Sequence, residues 1–89
     1  MKTIGVYYFS TLDNVVLTFS DVFEINYLEQ IRLYFERPNE SGFDIAEVIL
    51  PIYHFTKVIG FTEDEVFELE EYAKDNAELI WELARENKD

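Results

Sequence analysis

The chain predicts an α+β domain: an antiparallel β-meander of four to six strands packed by one long C-terminal helix. Three observations carry this. Residues 62–87 show helical periodicity in good helix formers, with no Gly or Pro among them. Residues 3–59 divide into short runs rich in β-branched and aromatic residues, several of them alternating apolar and polar with period two. Clusters of Gly, Pro, Asn, Asp and Ser punctuate those runs. A length of 89 residues fits one domain, 1–89, with strands within 3–59 and the helix at 62–87.

The helix has a full set of start signals. Thr62 and Glu65 are spaced as a capping box, the hydroxyl accepting from the third helical amide and the carboxylate reaching back to the Thr62 amide. Phe61 before the cap and Val66 after it are placed as a hydrophobic staple. Glu63, Asp64 and Glu65 put negative charge at the positive end of the helix dipole, and Arg85 and Lys88 put positive charge near the other. At about 1.5 Å per residue the rod is about 36 Å long.

Its faces differ. At about 100° per residue, Val66, Leu69, Ala73, Ala77, Ile80 and Ala84 share a line, with Tyr72, Leu79 and Leu83 on one flank and Phe67 and Trp81 on the other. Glu68, Glu71, Asp75, Glu78, Glu82 and Glu86 lie opposite. The apolar arc is wider than one sheet face needs. Trp81 and Phe67, at its edge, read either as the margin of a wide core contact or as part of an interface, where aromatic residues are enriched.

The strands follow in order. Thr3–Phe9 is rich in β-branched and aromatic residues, and Ser10–Asn14 carries turn chemistry. Val15–Phe19 and Val22–Tyr27 alternate on either side of Ser20-Asp21 and read as a hairpin. In Glu29–Glu36, Ile31, Leu33 and Phe35 point one way, and Gln30, Arg32, Tyr34 and Glu36 the other. A capping box from Asp21 to Glu24 offers a competing helix over Asp21–Phe35, but its apolar residues scatter around the wheel and strands are preferred. Arg37–Gly42 is the strongest turn. In Phe43–Leu50 the alternation slips between Ile45 and Ala46, which predicts a β-bulge near Ala46. Pro51 marks a strand end, Tyr53–Ile59 is the last strand, and Gly60 turns the chain into the helix.

Composition narrows function more than motifs do. Hydrophobic content of 48% and aromatic content of 17% exclude a disordered acidic tail. Without cysteine there is no disulfide framework and no thiolate chemistry. The N-terminal residues lack the apolar run of a signal peptide, and no stretch approaches the roughly 20 apolar residues of a membrane span. A soluble, cytoplasmic protein is expected. The net charge of −12 repels phosphate backbones and anionic lipids, so neither direct nucleic-acid binding nor a membrane partner is expected. A basic protein is the natural complement of such a charge; plain solubility is the simpler reading of it. Residues 62–89 hold eleven acids and three bases, net −8, so most of the charge belongs to the helix.

Catalytic signatures are missing. His54 is the only histidine, in the apolar context Ile52-Tyr53-His54-Phe55, and reads as an ordinary strand residue. One His without Cys cannot supply a zinc site. Three glycines, at positions 5, 42 and 60, make no phosphate loop, and no calcium loop is present. A convex row of helix carboxylates offers no pocket to shift a pKa. Neither enzymatic activity nor a cofactor is expected.

The partner-binding candidates are therefore Glu71, Asp75, Glu78 and Glu82 on the outer helix face, Trp81 at the arc's edge, and Arg32 and Tyr34, with Tyr7 or Tyr8, on the sheet face away from the helix. For each group the competing reading is an ordinary solvated face. The first functional expectation is a protein-interaction domain that binds another protein or itself as a homodimer. The second is an acidic inhibitor that blocks a basic partner. In size and charge, with no shared motif, the chain resembles immunity proteins, antitoxins and phage inhibitors that imitate nucleic acid.

Overall fold

The computed structural model describes residues 4–86. Six strands and one helix follow in order: β1 (Val6–Leu12), β2 (Val15–Ser20), β3 (Phe23–Ile25), β4 (Leu28–Asn39), β5 (Gly42–Leu50), β6 (His54–Ile59) and α1 (Glu63–Glu86). All pairings are antiparallel, in the spatial order β1-β2-β4-β5-β6, with β3 paired to β4. This is the expected α+β meander with a long C-terminal helix, and 21–35 contains strands rather than a helix.

The hairpin expected about Ser20-Asp21 is not there. β2 pairs with residues 33–36 of β4 and β3 with residues 28–30, so β2 and β3 together run along one partner. Phe19 faces Leu33 while Phe23 faces Gln30, which leaves one extra residue on the β2–β3 side. Ser20–Val22 is thus a bulge within a kinked strand. The parity of the apolar residues changes across it, and both Phe19 and Val22 are buried. The true reversal is Asn26-Tyr27, both at positive φ, as a two-residue type I′ hairpin turn requires. Asp13 and Asn14 do the same between β1 and β2, which lengthens β1 well past Phe9.

The bulge expected near Ala46 is also displaced. β4 and β5 pair without interruption from Ile31–Leu50 to Asn39–Gly42. The slip in alternation has another cause: Phe43 and Ile45 lie on the open face, and Ala46, Val48 and Leu50 on the covered one, so both faces carry apolar groups. The irregularity is in β6, where Glu47 pairs with Lys57 but Val48 with Phe55. The turn at 37–42 is shorter than expected, since pairing continues to Asn39 and Gly42; the Asn39 side chain accepts the Ser41 amide at 2.8 Å.

One sheet face and α1 enclose the core. Leu17, Phe19, Ile31, Leu33, Phe35, Val48 and Leu50 meet Ala73, Ile80 and Ala84. The two alanines have no side chain beyond Cβ to hold the helix off the sheet, and Leu69, Tyr72, Trp81 and Leu83 fill the margins. Phe67 is 64% exposed and Leu79 48%, so the buried arc is narrower than the wheel suggests. The capping box forms as expected: Glu65 accepts the Thr62 amide at 2.9 Å and Thr62 accepts the Glu65 amide at 3.1 Å.

Candidate functional site

Among the described residues, no element covers the sheet's second face. Its register places Val6, Ser20, Arg32, Ile49 and His54 in or beside one row, and Tyr8, Thr18, Tyr34, Glu47 and Lys57 in the next. A third row holds Thr11, Val16, Glu36, Ile45 and Ile59. Of the adjacent pair Tyr7 and Tyr8, Tyr8, at 64% exposure, joins Tyr34 on this face, whereas Tyr7 turns inward. The Tyr7 ring lies 5.6 Å from that of Phe19, and its hydroxyl donates to Asp21 at 2.7 Å, which with burial raises the phenol above its ordinary pKa.

Arg32 is the unusual member of this face. The bulge leaves its backbone amide out of the ladder, and the buried Ser20 hydroxyl accepts it at 2.9 Å while donating to the Asp21 carbonyl. Its guanidinium lies 5.8 Å from the Phe23 ring centroid and borders a hollow of about 100 Å³ with Val6 and Tyr34. The Nε is buried without a hydrogen-bond partner, and no ion pair joins Arg32 to a carboxylate among the described residues. A buried donor without an acceptor costs roughly 1–3 kcal/mol.

The helix candidates lie on the other side of the molecule. Glu71, Asp75, Glu78 and Glu82 are exposed, and Lys74 is committed to Glu70 at 2.8 Å, which raises its pKa. Trp81 is half-buried at the end of α1. Arg85 stacks 4.9 Å from its ring centroid and reaches Glu29 at 3.7 Å rather than serving the helix acids. The sequence candidates therefore form two separate groups, Arg32 and Tyr34 on the open sheet face and the four acids with Trp81 on the helix layer. They are not one site.

A third arrangement escaped the sequence reading. Arg37, expected in a turn, lies on the core side of β4. Its Nε donates to Asp44 at 2.8 Å and its Nη1 to Glu65 at 2.6 Å, with Phe61 4.5 Å beneath. Hydrogen bonding to Arg37, then to the Thr62 amide, holds Glu65 down to about 2. Arg37, then Asn39, likewise lowers Asp44. This group ties β4 and β5 to the first turn of α1 and walls one side of a cavity of about 200 Å³ between the helix and the β1–β2 turn. Only the odd parity of Arg37 with Ile31, Leu33 and Phe35 hinted at its direction.

His54 projects from β6 beside Ile49 and does not line that cavity. Among the described residues no group of three or more His, Cys, Asp or Glu is arranged to hold a metal ion, and no helix is long and apolar enough to cross a membrane. Comparison with protein-family models, curated proteins and solved structures gave no match.

Proposed function

We propose that this protein is a small, non-enzymatic protein-interaction domain of the cytoplasm that self-associates as a homodimer through its open sheet face. The supporting observation is the half-buried Arg32, which has no carboxylate partner among the described residues, on a sheet face that also carries Tyr8, Tyr34, Ile45 and Ile59 and that no described element covers. Aromatic residues and Arg are the side chains enriched at interface centres. Two copies at −12 repel across most of their surfaces. On this face Arg32 and Lys57 balance Glu36 and Glu47, so a second copy meets little net charge. Five strands have four gaps and so span about 19 Å between the outer two, and β4 alone runs about 40 Å at the usual rise per residue. A face of that order is comparable with the roughly 800 Å² per partner of a stable complex.

The order Arg32-Tyr34-Glu36 also suits a two-fold axis. Centred over Tyr34, the axis sets Arg32 of each copy against Glu36 of the other, as a self-complementary interface requires. Light scattering during size exclusion tests this. The wild type runs as a dimer, Arg32→Glu as a monomer, and Arg32→Glu with Glu36→Arg as a dimer again. A monomeric wild type at high concentration rejects the proposal.

The exposed row Glu71, Asp75, Glu78 and Glu82 supports a second reading, an acidic inhibitor of a basic partner. Reversing Asp75, Glu78 and Glu82 to Lys leaves the fold intact and abolishes capture of such a partner; unchanged capture rejects this reading.

A further inference from the structure

We infer that the cavity between α1 and the β1–β2 turn is a binding site for a small organic cation, an ammonium carried on an apolar body the size of one ring. Its apolar walls are Val15, Leu17, Phe35 and Leu69, and Leu17 and Phe35 are almost fully buried. At about 200 Å³ it exceeds the roughly 150 Å³ that holds a benzene in a dry apolar cavity. Ring-sized groups therefore fit.

The polar groups at the margin select the charge. Ser10 and Tyr72 bond each other at 2.9 Å, which leaves a hydroxyl pair able to accept from a ligand. Arg37 does not repel a cation here, because Asp44 and Glu65 already hold its guanidinium. Asp13 and Glu68 remain, both lining the cavity and both without a hydrogen bond or ion pair among the described residues. A neutral ring would gain the apolar walls alone, whereas an ammonium also gains these two carboxylates. An anion meets these two carboxylates, and the one guanidinium at the margin is already committed to Asp44 and Glu65. The site is separate from the open sheet face, so it stands or falls independently of the homodimer.

Benzylamine, benzyl alcohol, benzoate and a capped lysine tripeptide are the probes, read by amide shifts in the isotope-labelled full chain. Benzylamine should move resonances in residues 10–15 and 61–72 with a Kd on the order of 1 mM, and benzyl alcohol should bind about tenfold more weakly. Benzoate should not bind. Glu68→Gln with Asp13→Asn, both at exposed positions, should weaken benzylamine to the level of the alcohol and leave the alcohol unchanged. Leu69→Phe should abolish both; if that variant fails to fold, the charge variants still decide. Equal binding of amine and alcohol, or no shifts in these segments, overturns the inference. Tighter binding of the tripeptide than of benzylamine also overturns it, in favour of a partner's lysine.

Discussion

Ser20 shows how one side chain resolves a backbone problem. The bulge at Ser20–Val22 interrupts pairing between β2 and β4, and the Arg32 amide would otherwise be left unsatisfied near the core. The Ser20 hydroxyl accepts that amide, at 1% exposure, where water cannot replace it. Ser20→Ala should therefore cost more than a surface hydroxyl deletion, about 1–3 kcal/mol, because the amide loses its acceptor. Urea unfolding monitored by the Trp81 fluorescence measures this, and a loss below about 0.5 kcal/mol would show that the amide finds another partner. The same hydroxyl fixes the Arg32 backbone, so the substitution should also weaken self-association.

At the scale of elements, the junction between sheet and helix is held by charge, and its pH dependence has a definite sign. Glu65 sits at about 2 in the folded chain against an ordinary value of 4.5, with Asp44 lowered too. Their contribution is present above the ordinary carboxylate range and disappears as pH falls toward 2. Glu65→Gln preserves a capping box and removes only the charge, so it isolates the Arg37 contact. The wild type should be the more stable at pH 7, and the gap should narrow between pH 4.5 and 2. Thermal unfolding of both proteins across that range checks it; a constant gap would place the Arg37 contact outside the stability of the fold. Gly60 belongs to the same junction. It lies at φ +85, and a Cβ there would run into the Asp44 carboxylate.

Elements were readable wherever local chemistry decided them. The helix carries its own cap, and Ile31, Leu33 and Phe35 reveal their strand by parity alone. Connections were harder, because long-range pairing chose among turns of similar appearance. Ser20-Asp21 has turn composition yet forms a bulge, while the reversal uses Asn26 and Tyr27, a bulky residue at φ 69 where Gly is usual. Phe43 and Ile45 break the alternation of apolar and polar residues only because the open face is itself apolar. That apolarity is also what the candidate surface rests on, so the slip in pattern reflects a two-sided apolar strand rather than a bulge. Arg37 could not be placed from the sequence, since its partners Asp44 and Glu65 come from two other elements.

For the whole molecule, charge separates the two functional readings through salt. A chain of −12 repels its own copy at long range, and the Debye length falls from about 30 Å at 0.01 M to about 8 Å at 0.15 M. Added salt screens that repulsion and leaves the apolar open face untouched, so self-association should strengthen. Binding of a basic protein to the helix acids should weaken over the same range, because screening removes the attraction that drives it. Reversing Asp75, Glu78 and Glu82 to Lys brings the net charge to −6. That variant should still dimerise and should do so with a shallower salt dependence, since the substituted side chains lie on the layer opposite the interface. Sedimentation equilibrium of both proteins at these two ionic strengths tests the expectation. A dimer that weakens as salt rises, or that the helix variant abolishes, would move the interface from the open sheet to the helix.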